Sequence, residues 1–170
     1  ALACVQTNIQ YVRFERPQWQ PLPNDSWALI EQWSQLIPKL SKYKHVFLTI
    51  GQVPELIMQQ ISKLPCELTL RTAKQPEYIL PENIKWIKAI GPFDENSEKQ
   101  WLINNQIDLI VSKNSGGQAT YGKIVAAREL NVVVIMFQRP ASSHVNNAQS
   151  VEFNTLDQCV EHIKQLTNKV

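Results

Sequence analysis

The sequence predicts an α/β protein built on a parallel sheet, and three observations support this prediction. Short apolar segments without polar alternation recur along the chain, which is typical of strands that are covered on both faces. Segments with helix-start signals lie between them, as in sheets whose parallel strands are joined by helices. All five glycines follow predicted strands, and glycine permits a close approach of backbone to ligand at the carboxyl edge of such a sheet.

The first half of the chain is predicted to form three strands and two helices. The strands are short and apolar, and each helix begins at a polar cap or has a proline in its first turn. In order, the segments are strand Gln10–Phe14, helix Trp27–Ile37 after Asp25-Ser26, strand His45–Ile50 before Gly51, helix Glu55–Leu64 with Pro54, and strand Glu67–Arg71.

The second half continues the alternation and ends in an amphipathic helix. Its apolar positions are Leu156, Cys159, Val160, Ile163 and Leu166, and Thr155 with Gln158 forms a capping-box pattern before them. The preceding elements are strand Lys85–Ile90, helix Glu95–Asn105 after Asp94, strand Asp108–Ser112, helix Tyr121–Leu130 and strand Val132–Phe137. We expect a main sheet of about five parallel strands.

The amino-terminal region differs in composition from the rest. Three prolines fall within Arg16–Asp25, which is typical of a junction between domains. We predict that residues 1–25 are a crossover strand and proline-rich junction from a preceding N-terminal domain. Residues 26–170 are then expected to form a C-terminal α/β domain.

Composition excludes several functional classes. The 170 residues are 44% hydrophobic, which is enough for a single core, and the net charge of +2 comes without a basic stripe, so nucleic acid is a poor candidate partner. Cys4, Cys66 and Cys159 lie far apart and lack neighbouring histidines, which argues against a zinc site or a disulfide framework. No apolar segment approaches the length of a membrane span. We expect a soluble cytoplasmic protein without a metal.

The strongest functional signal lies after the strand Asp108–Ser112. Lys113-Asn114-Ser115-Gly116-Gly117 brings a cation, short polar side chains and two glycines to the carboxyl end of that strand. Backbone N–H groups and helix dipoles converge on this edge of a parallel sheet and favour an anion there. Lys123, near the start of the next helix, either reaches the same phosphate or a substrate carboxylate, or is a solvated surface lysine. Arg128 is expected on the helix surface.

An ordered set of motifs resembles the precorrin-6A reductases of cobalamin biosynthesis. The motifs are Phe14-Glu15-Arg16-Pro17-Gln18-Trp19, Leu48-Thr49-Ile50-Gly51, Gly91-Pro92-Phe93, Ser112-Lys113-Asn114-Ser115-Gly116-Gly117, Lys123 with Ala126-Ala127-Arg128-Glu129-Leu130, and Arg139-Pro140. The resemblance implies two Rossmann-like domains, of which this chain matches the second, with a parallel sheet and helices on both faces. It also implies an oxidoreductase that reduces one carbon–carbon double bond of precorrin-6A to give precorrin-6B.

The cofactor implied by the resemblance is NADPH, with NADH as the alternative. We place it at the glycine turn, with Gly51 and Lys123 as further contacts; the expected cofactor-binding set is Ser112, Lys113, Asn114, Ser115, Gly116, Gly117, Lys123 and Gly51. The substrate is a flat tetrapyrrole with many carboxylates, which arginines and aromatic faces complement. The expected substrate-binding set is Arg16, Trp19, Arg71, Phe93 and Arg139.

The sequence names no proton donor for such a reduction. His144 is a candidate only because it lies in the polar loop Ala141–Ser150 and because an ordinary histidine has a pKa near 6.5. A non-catalytic nucleotide- or anion-binding module is the alternative, since fold does not determine function. The two hypotheses differ in a second surface, because only the reductase needs an arginine-bearing face for the macrocycle.

Overall fold

The computed structural model describes residues 4, 6, 7, 9–140 and 150–167, which divide into two compact units. The larger unit is Trp19–Pro140, and the smaller combines Ala1–Gln18 with Ala141–Val170. The strands are β1 (Tyr11–Phe14), β2 (Trp27–Ile30), β3 (His45–Leu48), β4 (Glu67–Thr72), β5 (Ile84–Lys88), β6 (Leu109–Lys113), β7 (Val133–Phe137) and β8 (Ser150–Phe153). The helices are α1 (Trp33–Leu40), α2 (Glu55–Ile61), α3 (Glu95–Asn104), α4 (Gly122–Leu130) and α5 (Leu156–Thr167), with a 3₁₀ turn at Gln118–Thr120.

The larger unit is built on a six-stranded sheet in the order β2-β7-β6-β3-β4-β5. Every neighbouring pair in this sheet is parallel. The chain runs outward from β3 to β5, returns to β6 on the other side of β3, and continues outward to β7. The carboxyl ends of β3 and β6 therefore flank the point at which the winding direction reverses, where open α/β sheets bind ligands.

Each face of this sheet has its own apolar core, because successive residues of a strand point to opposite faces. In β3, Val46 and Leu48 belong to the core that includes Leu36 of α1 and Met58 of α2. Phe47, between them, belongs to the opposite core, together with residues of α3 and α4. Helices therefore cover both faces, which confirms the predicted Rossmann-like α/β architecture.

One element prediction for the larger unit was wrong. The segment Trp27–Ile37, predicted as one helix, forms strand β2 at Trp27–Ile30 and then helix α1 at Trp33–Leu40. Pairing of β2 with β7 outweighs the local helical pattern, because it satisfies the backbone and completes the sheet edge. The main sheet consequently has six strands rather than about five.

The smaller unit contains a two-stranded parallel sheet and one helix. Tyr11 of β1 pairs with Ser150 of β8, and Phe14 pairs with Phe153. Helix α5 also lies in this unit. The predicted domain 26–170 had grouped this helix with the main sheet. Strand β8 was not predicted.

The predicted polar loop Ala141–Ser150, including His144, lies outside the described residues except for the start of β8. Among the residues that the structure describes, no helix combines the length and the apolar character needed to cross a membrane.

Candidate functional site

The ends of β3 and β6 are joined directly at the winding reversal. Thr49, just beyond β3, donates to the Val111 carbonyl from its backbone N–H at 2.9 Å and from its hydroxyl at 3.0 Å. The turn Asn114–Gly117 leaves β6 at the same edge, as the sequence predicted. The two loops that follow these strands are therefore neighbours on one rigid sheet edge.

Asn114 anchors this turn to a distant segment of the chain. Its Oδ1 accepts from the Trp19 backbone N–H at 2.8 Å, and its Nδ2 donates to the Trp19 carbonyl at 2.9 Å. Its own N–H donates to Phe137 at the end of β7, and Arg139 Nη2 donates to its carbonyl at 3.3 Å. Because Asn114 is 8% exposed and its amide is engaged on both sides, it positions the turn from within.

The outer part of the turn is held by hydroxyl groups. Ser115 Oγ accepts from the Gly117 N–H at 3.4 Å and lies 3.2 Å from Thr120 Oγ1, which also donates to the Gly117 carbonyl at 3.3 Å. Gly116 has a φ of 66°, a conformation that glycine adopts without strain. The side chains of Lys113 and Ser115 are exposed, so the turn presents a cation and a hydroxyl to solvent.

Lys123 lies beneath this turn and is not the solvated surface lysine that one interpretation of the sequence allowed. Its side chain is buried, with the residue 4% exposed, and its Nζ donates to the Thr120 carbonyl at 2.8 Å. The Nζ also lies 5.4 Å from the centre of the Trp19 ring. Burial, and secondly the charge of Arg71, lower the Lys123 pKa to about 8, whereas Glu98 acts in the opposite direction.

Arg71 forms a buried ion pair next to this lysine. Its two guanidinium NH₂ groups meet the two carboxylate oxygens of Glu98, with Nη2 and Oε2 2.7 Å apart. The guanidinium carbon lies 4.0 Å from the centre of the Phe93 ring and 4.7 Å from that of Phe47. The pair and the two rings connect β4 to α3 and to the Gly91-Pro92-Phe93 turn.

A second ion pair fixes the segment that follows Trp19. Arg128 Nε and Nη2 donate to the Asp25 carboxylate at 2.9 and 3.1 Å, and Nη2 also donates to the Tyr121 hydroxyl. The predicted helix-surface role of Arg128 is therefore incomplete, because the side chain is 18% exposed and Asp25 only 1%. The hydrogen bond to Asp25 raises the Arg128 pKa and outweighs the lowering effect of burial.

The structure brings most of the predicted site residues of the larger unit to one sheet edge. Trp19, Lys123 and Arg139 contact the turn or the residues that support it. The Phe93 N–H donates to the Ala119 carbonyl within the 3₁₀ turn. Gly51 is exposed on the adjoining loop after β3. Arg16 belongs to the smaller unit and is exposed.

Sequence reasoning missed the residues that support this site. Glu98 resembled an ordinary charge in the first turn of a helix, and Thr120 carried no motif. The pairing of Asp25 with Arg128 spans most of the larger unit, so no local pattern indicates it. A buried lysine in the segment Gly122–Leu130 had one available signal, namely its apolar and small neighbours Ile124, Ala126 and Ala127.

The turn is chemically suited to a phosphate group. Lys113 offers a point charge and Ser115 a hydroxyl, both at the surface, while Asn114 and Lys123 hold the backbone from the buried side. For the Ser115 and Gly116 N–H groups, no acceptor occurs within the described part of the chain. Such free backbone donors beside a glycine of positive φ are typical of anion-binding turns.

A doubly wound parallel sheet with a glycine-containing polar turn at its winding reversal defines a Rossmann-like protein with a candidate anion-binding edge. The model of the precorrin-6x reductase CbiJ/CobK family matches residues 1–164. The chain therefore belongs to this family, which confirms the resemblance drawn from the motifs.

Individual relatives agree with this membership. The chain is 35% identical to a precorrin-6A reductase of Sinorhizobium sp. over 151 residues, covering 88% of this chain and 58% of the relative. It is 28% identical to a cobalt-precorrin-6A reductase of Methanococcus maripaludis, covering 95% and 64%. A solved structure described as CobK precorrin-6A reductase matches with a TM-score of 0.81 and 28% identity, covering 96% of this chain and 63% of that one. The chain thus spans somewhat more than half the length of the relatives it matches.

Proposed function

We propose that this chain takes part in the reduction of one carbon–carbon double bond of precorrin-6A to precorrin-6B by a pyridine nucleotide, in cobalamin biosynthesis. Family membership supports the substrate and the reaction. The observation that carries the proposal is the turn Asn114–Gly117 at the winding reversal, where Lys113 and Ser115 are exposed and the backbone is anchored from behind. The turn then holds a phosphate of the nucleotide.

Pyridine nucleotides supply a hydride when bound, so the protein needs to provide orientation and electrostatics rather than a nucleophile. In this proposal Lys113 and Ser115 contact phosphate, and Ser112, Gly116 and Gly117 shape the turn. Asn114 and Lys123 position it without reaching solvent. The nucleotide is NADPH, with NADH as the alternative.

The substrate surface is formed by aromatic and cationic side chains. In the larger unit, Phe93 supplies an aromatic face and Arg139 offers a charge to the carboxylates of the macrocycle. Trp19 is 9% exposed and packs in the core, which favours a supporting role. Arg16, in the smaller unit, stays a predicted contact. Arg71 was also placed in this set, and its engagement with Glu98 favours an indirect role through the Phe93 ring that covers it. A proton must also reach the substrate, and His144 stays a candidate donor.

The proposal includes a further domain and a cellular compartment. A preceding N-terminal domain of the same enzyme would complete the enclosure of cofactor and macrocycle, and the protein would act in the cytoplasm.

The test is a titration of the chain with NADPH and NADH, followed by tryptophan fluorescence. Lys113→Ala and Ser115→Ala each remove one proposed phosphate contact, and we expect each to weaken nucleotide binding about tenfold, as for one charge-assisted hydrogen bond. Lys99→Ala is the matched control, since Lys99 pairs with Glu129 at the surface. Binding that is unchanged in both turn variants would contradict the assigned site.

Turnover is assayed separately with precorrin-6A and the preferred nucleotide. Formation of precorrin-6B supports the reductase assignment. Saturable nucleotide binding without any reduction, in a sample joined to its preceding domain, would instead support the non-catalytic binding module.

A further inference from the structure

Both ends of the larger unit are hydrogen-bonded to one residue of the glycine turn. The chain enters this unit at Trp19 and leaves it at Pro140. Asn114 Oδ1 accepts from the Trp19 N–H at 2.8 Å, and Asn114 Nδ2 donates to the Trp19 carbonyl at 2.9 Å. Arg139, which precedes Pro140, donates from Nη2 to the Asn114 carbonyl at 3.3 Å. Asn114 is therefore the point at which the two ends meet the turn.

Prolines restrict the backbone at both ends. Pro17 and Pro21 lie on either side of Trp19, and Pro140 follows Arg139. Proline fixes its own φ angle and limits the conformations of the residue before it. A hydrogen bond to Trp19 or Arg139 therefore determines the direction of a longer stretch of backbone than it would in a flexible segment.

The ring of Trp19 provides a second connection to the turn. Its centre lies 5.4 Å from the centre of the Tyr121 ring and 5.4 Å from Lys123 Nζ. Lys123 donates to the Thr120 carbonyl, and the Thr120 hydroxyl donates to the Gly117 carbonyl. The main chain and the side chain of Trp19 thus both contact residues that shape the turn.

The turn conformation that suits an anion is the one in which these contacts are made. In this conformation Gly116 has a φ of 66°, and the Asn114 N–H donates to the Phe137 carbonyl at 3.1 Å. If Trp19 separated from Asn114, the buried amide would lose both of its partners, which is costly. The turn would also lose its support from the interior, so its anion-binding conformation would no longer be fixed.

We propose that Asn114 couples anion binding at the turn Lys113–Gly117 to the two ends of the larger unit. The inference rests on the proposed function, in which the anion is a phosphate of the nucleotide. A bound phosphate favours the turn conformation in which Trp19 and Arg139 are held. Held ends favour phosphate binding by the same factor, because such coupling is reciprocal. Asn114 is thus a positioning residue that acts on the ligand through the turn.

The backbone amide of Trp19 reports this coupling directly, because it donates to Asn114. Its hydrogen exchange with solvent is measured by NMR on the 170-residue chain, with and without saturating NADPH. We expect the nucleotide to slow this exchange about tenfold, the ratio of its affinities for the held and released states. The control is the Ser62 amide, which donates to the Met58 carbonyl at the end of α2 and should exchange at an unchanged rate.

Asn114→Ala removes the side-chain amide and keeps the backbone of the turn. Asn105→Ala is the matched control, because Asn105 Nδ2 also donates to a backbone carbonyl, that of Trp101 at the end of α3. We expect Asn114→Ala to weaken NADPH binding about tenfold and to make Trp19 exchange fast with or without the nucleotide. Asn105→Ala should change neither quantity. The wild-type measurement decides the question even if Asn114→Ala does not fold.

Unchanged Trp19 exchange in wild type saturated with NADPH would overturn the proposal. This holds even if Asn114→Ala binds the nucleotide weakly, because Asn114 would then have only a structural role. Equal slowing at Trp19 and Ser62 would also overturn it, since it would indicate general stabilisation of the larger unit.

Inorganic pyrophosphate, as a second probe, separates this inference from the proposed function. If pyrophosphate slows Trp19 exchange and NADPH does not bind, the coupling stands and the nucleotide assignment fails. If Lys113→Ala weakens NADPH binding but NADPH leaves Trp19 exchange unchanged in wild type, the nucleotide site stands and the coupling fails. If neither probe binds the folded wild type, both fail.

Discussion

At the scale of single residues, Lys123 combines a buried ammonium group with contacts to the backbone that carries the glycine turn. Its Nζ holds the Thr120 carbonyl, and the Thr120 hydroxyl in turn meets Ser115 and Gly117. The lysine therefore acts on the ligand edge through Thr120. Because the Lys123 ammonium group lies away from solvent, its burial is the largest cause of its lowered pKa.

Because of Lys123, the free energy of unfolding should vary with pH in the alkaline range. Its pKa falls from 10.5 to about 8 on folding, so between these values the unfolded chain binds more protons than the folded one. The free energy of unfolding should therefore rise through this window, by about 3 kcal/mol at 1.4 kcal/mol per pKa unit. Urea unfolding of wild type and Lys123→Met from pH 7.5 to 10.5 measures the difference, and a constant difference across the window would refute this account.

The buried pair of Arg71 and Glu98 is a second feature at the residue scale. The Glu98 carboxylate is the counter-ion of Arg71 and also acts on the charge of Lys123. Glu98→Gln leaves the buried Arg71 charge without its counter-ion, which typically costs about 3 to 5 kcal/mol. Glu129→Gln breaks the exposed pair with Lys99 between α3 and α4, and should cost about 1 kcal/mol or less. Chemical denaturation compares the two variants, and equal losses would contradict a special role for the buried pair.

At the scale of elements, the start of α4 is set by close backbone contact with the Phe93 turn. A Cβ at Gly122 would lie 2.7 Å from the Phe93 carbonyl oxygen. Gly122→Ala should therefore displace α4 or the turn, at a cost of roughly 1 to 3 kcal/mol. Thermal unfolding measures this cost, and Gly51→Ala is the control because its Cβ meets open space. Unchanged stability in Gly122→Ala would show that this contact relaxes freely.

Element types were predictable where local pattern and tertiary environment agree. The strands β3, β6 and β7 are buried on both faces, and their mostly continuous apolar sequences indicate this directly. Strand β2 was predicted as helix because its polar cap pair and apolar spacing are local signals, whereas the partner that makes it a strand lies in β7. The short strand β8 likewise depends on pairing with β1.

The candidate site was predictable only where local sequence indicates it. Glycines and polar residues after a strand indicate the turn, since parallel strands place such residues at one edge. The clasp between Asn114 and Trp19 joins residues far apart in sequence, so no spacing argument indicates it. The burial of Lys123 depends on how α4 packs against α3 and the sheet, which a helix-surface pattern does not encode.

At the scale of the whole molecule, the glycine turn with its supporting residues and both apolar cores of the main sheet lie between Trp19 and Pro140. The segment Trp19–Asp25 belongs to this unit through Asn114 and Arg128, although its prolines made it resemble a linker. The smaller unit contributes its own paired strands and α5. The larger unit therefore contains everything that its own packing requires.

A chain restricted to Trp19–Pro140 should fold and keep the nucleotide site. We expect one cooperative thermal transition by circular dichroism, because the six-stranded sheet and the helices on both faces are complete within this range. NADPH affinity should be close to that of the 170-residue chain, and Lys113→Ala should weaken both equally. A fragment that starts after Asp25 is the control. It removes both partners of the Asn114 side-chain amide and the carboxylate partner of Arg128, so it should unfold at lower temperature. Loss of nucleotide binding in a folded Trp19–Pro140 chain would show that the smaller unit supplies part of the site.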